Sequence, residues 1–227
     1  PIYVHSFDPA GTTLRTLRPL IESRELIVNN KYEGGKETDF RAWESEYNDL
    51  CKSGAFEYFG TYVLDSLTLW AHTMMTYILS QGRTGAKPRQ LAYGIRPTRE
   101  QRDYDIQQLW GLECLQHMCT LPCDLIVTGH LAPKTDETGE RIMEYGVSVP
   151  GQFSQKTINI FPEKWITRAS EGARGIEYKY LTQTDGKLIA STKIGSEIFS
   201  KLEEPNIRAL MKKADFPYED RKITKLF

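Results

Sequence analysis

The chain has 227 residues, 40% of them hydrophobic, enough for one sizeable α/β domain with a short appendage. Lys and Arg (29) nearly balance Asp and Glu (30), a net charge of -1, so any nucleic-acid binding must use a local patch rather than a whole-molecule field. No apolar run approaches the roughly 20 residues that cross a bilayer, the first residues lack the basic-then-apolar order of a secretory signal, and four cysteines without a regular framework fit a reducing compartment; the expected location is the cytoplasm, without membrane attachment.

The first run, Ile2 to Phe7, reads as a strand, and Asp8-Pro9-Ala10-Gly11 breaks it. Leu14, Leu17, Leu20 and Ile21 then fall at helical spacing, and Leu26 to Val28 reads as a second strand. Thr38 is placed to cap a helix carrying Phe40, Trp43, Tyr47, Leu50 and Cys51 on one face. Phe59 to Leu64 is a continuous apolar run ending in Asp65-Ser66, the pattern of a buried parallel strand with a polar tip. A helix with Leu69, Trp70, Met74, Tyr77 and Ile78 follows. Residues 82–102 hold six basic residues and one acid among Gly and Pro, which predicts a loop. From Asp103 a third helix presents Ile106, Leu109, Trp110 and Met118, and Leu125 to Thr128 reads as a strand. Strands alternating with helices predict an α/β fold with a mostly parallel sheet flanked by helices. Further on, Thr157 to Phe161, Ile176 to Thr182 and Leu188 to Thr192 read as strands, with Asp185-Gly186 as a hairpin turn; Ser196 is placed to cap a helical stretch and Pro205-Asn206 to start a basic one ending near Lys213.

Three strand ends carry candidate chemistry. Asp65, delivered by a parallel strand into the crevice where such sheets bind ligands, can associate with Mg²⁺ beside a triphosphate or simply cap the next helix. Thr128-Gly129-His130 can hydrogen-bond a terminal phosphate or form a surface loop. Asp8 can orient or deprotonate a water, or terminate its strand through its own backbone bonds. The pattern His117-x-Cys119-x-x-x-Cys123 has no nearby fourth ligand and reads as ordinary sequence rather than a zinc site. Trp43, Trp70 and Trp110 read as core.

The order of a strand ending in Asp8, a strand ending in Asp65-Ser66, a helix and a strand ending in Thr128 to His130, with Thr192-Lys193 after a hairpin, resembles the core of phage-encoded RecA-like P-loop ATPases, a group that includes recombination and single-strand annealing proteins. The resemblance covers about residues 1–195 and implies a RecA-like sheet with an antiparallel hairpin extension toward the C-terminus, followed by a helical tail over 196–227. It implies ATP and Mg²⁺ as cofactors, single-stranded DNA as partner, and a homo-oligomeric ring or filament in the host cytoplasm. Under it, Asp65 is the Mg²⁺-associated acid, Ser66 its polar neighbour and Asp8 the catalytic acid, where the family usually has Glu. His130 and Thr128 contact the nucleotide, and Lys193 reaches a neighbouring subunit's nucleotide. Residues 135–156 form a DNA-facing or interface loop. Arg83, Lys87, Arg89 and Arg96 are candidate DNA contacts, with Tyr93 available for stacking. No Gly-x-x-x-x-Gly-Lys-[Ser/Thr] occurs in the sequence. The family places that loop before the strand at Ile2, so the chain is expected to begin after it and to hydrolyse nothing by itself. A non-catalytic DNA-binding or assembly module, or a DNA-packaging or helicase-loading motor, shares the same core.

Overall fold

Four short apolar runs build the sheet of the first unit. In the computed structural model, which describes residues 1–9, 13–81, 100–136, 138–172 and 175–216, they form β1 (Ile2–Ser6), β2 (Leu26–Asn29), β3 (Thr61–Asp65) and β4 (Asp124–Val127). All pairings are parallel and the spatial order is β2-β1-β3-β4. Crossovers carry α1 (Thr13–Glu22) between β1 and β2, α2 (Asp39–Lys52) with a 3-10 turn at Ala55–Glu57 between β2 and β3, and α3 (Leu67–Gln81) and α4 (Gln101–Met118) between β3 and β4. The fold is therefore α/β with an all-parallel sheet flanked by helices. β2 lies on one side of β1, and β3 and β4 on the other. The chain thus reverses its direction of travel across the sheet between β1 and β3, and the C-terminal ends of strands at such a reversal are where open α/β sheets bind ligands.

The core beside this sheet is aromatic. Trp43, Trp70, Phe40 and Tyr62 are fully buried. Phe40 and Trp110 meet edge to face at 4.9 Å, as do Trp43 and Trp70 at 5.3 Å, a geometry that the ring quadrupoles favour. The expected faces of α2 and α3 are the ones that pack. On α4 this holds only in part: Met118 is buried and Trp110 packs on Phe40, but Ile106 and Leu109 are exposed, at 39% and 62%, and the other buried positions are Asp103, Gln107, Gly111 and Leu115. Gln107 satisfies its burial by donating to the Ala71 carbonyl at 2.5 Å. Phe153 lies over Gly111, so closely that a Cβ there would overlap its ring.

Residues 1–130 and 148–153 belong to this first unit; residues 131–147 and 154–216 form a second. Of residues 131–195, the stretches 131–147 and 154–195 thus group with the segment beyond them, and 148–153 with the first unit. The second unit has a hairpin of β5 (Leu131–Thr135) and β6 (Ile142–Val147), and an antiparallel sheet of β7 (Ile166–Gly172), β8 (Gly175–Leu181) and β9 (Leu202–Glu203). Its small core gathers Ile166, Leu181, Ala190 and Leu188.

Here several expectations are corrected. Thr157 to Phe161 is not a strand: it falls largely in α5 (Gly151–Ile160), where Phe153, Ser154 and Thr157 are buried at helical spacing. Residues 135–156 are not one loop, since they hold β6 and the start of α5. Leu188 to Thr192 makes only isolated bridges, and the tight turn is centred on Gly186 and Lys187 because Asp185 pairs with Leu188. Gly186 supplies the positive φ of 58° that this turn needs. No helix starts at Ser196; the helix within the expected tail is α6 (Ile207–Lys213), capped by the Asn206 side chain accepting from the Ala209 amide. Among the described residues no helix is long and apolar enough to cross a membrane.

Candidate functional site

Parallel register brings the polar strand tips together. Ser6 stands opposite Asp65 in the β1–β3 pairing, and Leu64 opposite Val127 in β3–β4. Beyond the strands the backbone stays tied: the Phe7 amide donates to the Asp65 carbonyl at 2.5 Å, and the Leu67 amide to the Thr128 carbonyl at 2.9 Å. The Asp65–Ser66 peptide is cis. Asp8, Ser66 and His130, from three different loops, therefore meet at one rim.

Asp8 is the hub. Its Oδ1 accepts the Ser66 hydroxyl at 2.9 Å and its Oδ2 lies 2.9 Å from His130 Nε2. The His130 amide donates to Thr68 Oγ1 at 3.0 Å, which holds the loop after β4 against the start of α3. Beside this group, Thr128 Oγ1 donates to Asp65 Oδ1 at 2.5 Å. Asp65 is half-buried, and its other oxygen has no hydrogen-bond partner among the described residues. Ser66 is buried, whereas the side chains of Asp8 and His130 are 23% and 57% exposed. The site thus has a fixed floor and a solvent-facing edge.

This arrangement is not a nucleophilic triad. There the hydroxyl bonds to the imidazole, which can take its proton; here Ser66 and His130 both bond to the carboxylate between them. What the rim offers is a positioned carboxylate at Asp8, a second at Asp65, and the ring of His130. Those groups suit an anionic ligand accompanied by a cation, or a water held in place.

Of the other expected site residues, Lys193 lies in the second unit, exposed, its amide donating to Glu163 Oε1 at 2.8 Å. Arg83, Lys87, Arg89 and Arg96 lie outside the described residues. His117 bonds through Nδ1 to the Tyr47 hydroxyl at 2.7 Å. Among the described residues no three His, Cys, Asp or Glu side chains cluster closely enough to hold a metal by themselves. Burial pushes the thiol of the half-buried Cys114 up to about 12, so it stays a protonated, weakly nucleophilic thiol at neutral pH.

Sequence reasoning missed two groups at or near the rim. Thr68 belongs to it through His130, and Glu33 accepts the Ser6 hydroxyl at 2.7 Å. It also missed a buried polar network in the middle of the sheet. His5, fully buried on β1, receives the Trp43 indole N–H at 3.2 Å on Nδ1, and the Tyr62 hydroxyl is 2.8 Å from the same atom. An accepting Nδ1 assigns the proton to Nε2, which lies 3.7 Å from Glu46 Oε1. Tyr3 and Tyr32 donate to Glu46 at 2.8 and 2.6 Å, and Asn29 also donates to it. Burial pulls the His5 imidazole below its ordinary value. His5 itself, then the Tyr32 and Tyr3 hydroxyls, hold the Glu46 carboxyl below its own.

Comparison of the chain with protein-family models, with curated proteins and with solved structures gives no match in any of the three.

Proposed function

We propose that this chain belongs to an ATP-binding, Mg²⁺-dependent, RecA-like ATPase that acts on single-stranded DNA in phage recombination or replication. One observation carries the reading: Asp8, Asp65-Ser66 and Thr128 to His130 come from three parallel strands and meet at the C-terminal rim, two of them flanking the point where the strand order reverses.

The residues fit a magnesium ion held in the manner usual for nucleotide sites, by one carboxylate with waters and phosphate oxygens rather than by a protein cage. Asp65 would hold it through water, since one oxygen is taken by Thr128 and the other has no hydrogen-bond partner among the described residues. Bound there, the ion supplies neutralisation of phosphate charge. Asp8 orients the attacking water: each of its oxygens keeps a lone pair beyond the bonds to Ser66 and His130. His130, anchored through its amide to Thr68, presents a ring that a terminal phosphate can engage. Lys193 and the basic residues Arg83, Lys87, Arg89 and Arg96 would serve a neighbouring subunit and single-stranded DNA in a ring or filament.

The product of the complete reading frame is expected to hydrolyse ATP, and Asp65→Ala to lower turnover by about 100-fold or more, the scale of one charge-stabilising group, with little change in melting temperature. Unchanged turnover in that variant overturns the reading. A second reading, a non-catalytic assembly module on the same sheet, is favoured by the lack of a Gly-x-x-x-x-Gly-Lys-[Ser/Thr] motif in these residues. Assembly on single-stranded DNA without any dependence on nucleotide would support it.

A further inference from the structure

The side-chain donors that the strand ends bring to the rim are spent on carboxylates. The Ser66 hydroxyl donates to Asp8 Oδ1 at 2.9 Å, and the Thr128 hydroxyl to Asp65 Oδ1 at 2.5 Å. The third contact, 2.9 Å between His130 Nε2 and Asp8 Oδ2, assigns the tautomer of the histidine: an ionised carboxylate only accepts, so Nε2 carries the proton. In the neutral ring Nδ1 is then a bare lone pair, and it has no hydrogen-bond partner among the described residues. The ring is 57% exposed. Its backbone is held from two sides, the amide donating to Thr68 Oγ1 at 3.0 Å and the carbonyl accepting from the Ser148 amide at 2.7 Å.

A neutral His130 therefore turns an acceptor outward beside two carboxylates, and an acceptor repels the oxygens of a phosphate. One added proton reverses this. The imidazolium donates through both nitrogens, inward from Nε2 to Asp8 and outward from Nδ1, and the Asp8 carboxylate balances its charge. Of the charged side chains around it, Asp8 touches the ring and Asp65 stands at the end of β3, while α3 contributes the uncharged Thr68. We propose that the rim takes a phosphate group only together with a proton: the anion engages His130 as its imidazolium, so binding draws one proton from solvent onto Nδ1. That the phosphate is the terminal one of ATP rests on the nucleotide reading above; the tautomer of His130 in the free protein does not.

The test uses the product of the complete reading frame with Mg²⁺ and a non-hydrolysable ATP analogue that has a methylene bridge between its β and γ phosphorus atoms. NMR of the ring nitrogens reads which of them carries a proton, and His130→Gln identifies the signals. At a pH where the free protein has one proton on the His130 ring, that proton is expected on Nε2, and saturation with the analogue is expected to protonate Nδ1 as well. By linkage, the Kd of the analogue in the unsubstituted protein, divided by its Kd in His130→Gln, rises about tenfold for each pH unit across that range, because the amide of Gln donates without gaining a proton. A proton on Nδ1 in the free protein overturns the proposal. So does an analogue that binds while Nδ1 stays bare, or a Kd ratio that is flat with pH; in either case the nucleotide reading stands. An analogue that does not bind, together with unchanged turnover in Asp65→Ala, removes the nucleotide reading and the proposal with it.

Discussion

The first unit has two polar clusters on one sheet, and they are built on opposite principles. Around His5 and Glu46, in mid-sheet, Trp43, Tyr62, Tyr3, Tyr32 and Asn29 aim hydrogen-bonding groups inward, the histidine is wholly shielded, and the carboxylate is saturated. At the rim, Asp8, Asp65 and His130 are partly exposed, and the carboxylates accept fewer bonds than their oxygens can among the described residues. A shielded cluster around a saturated carboxylate fixes a structure, even with His5 Nε2 left without a hydrogen bond, and an exposed one at a strand terminus is free to engage a ligand. Richness in titratable groups does not separate the two; access to solvent does.

Substitutions can break this contrast or sharpen it. The largest effect on stability is expected from Glu46→Ala, which strips the acceptor from Tyr3, Tyr32 and Asn29 at once: about 2–3 kcal/mol in urea unfolding, the range for bonds to a charged group. A loss below about 0.5 kcal/mol would erase the distinction. Next comes acid sensitivity. The folded His5 binds its proton below its ordinary value of 6.5 because it is buried, so below that pH the unfolded chain takes up a proton that the folded chain refuses, and stability falls as pH falls, by at most about 1.4 kcal/mol per pH unit. Glu46, held below its ordinary 4.5, keeps its contribution above that pH and loses it on further acidification. Urea midpoints between pH 7 and pH 5 should therefore slope in the unsubstituted protein and flatten in His5→Gln; equal slopes would mean that His5 titrates freely. The smallest change is expected at the rim itself, where Asp8→Asn removes a largely solvated pairing with His130 and should alter stability by less than about 1 kcal/mol. A cost matching that of Glu46→Ala would make the rim structural as well.

The sheet was legible wherever an apolar run ended in a polar punctuation mark. Tyr62 to Leu64 with Asp65-Ser66, and Leu125 to Val127 with Thr128, form the strands and tips that their sequence predicts. The second unit was read less well because its signals conflict. Thr157-Ile158-Asn159-Ile160 alternates like a strand, yet the burial of Phe153 and Thr157 four residues apart decides for a helix. β5 contains Pro133 and a single large apolar residue, Leu131, so little in it announces a strand. Of the rim, the residues at strand ends could be found in one dimension. Glu33 could not, since its partner Ser6 lies 27 positions away and only the parallel pairing of β1 with β2 brings them together. The His5–Glu46 network hid for the same reason: Glu46 reads as an ordinary solvated position on an amphipathic helix.

Phe153 resting on the bare backbone of Gly111 inverts a familiar rule of protein engineering. Exchanging a mid-helix glycine for alanine ordinarily gains up to about 1 kcal/mol, through lower chain entropy in the unfolded state and better helix propensity. On α4 the added methyl would collide with a fully enclosed phenyl ring that has nowhere to retreat. Thermostabilising this protein by glycine replacement should therefore pass over position 111, where the gap in the helix surface is itself the seat of a neighbouring side chain.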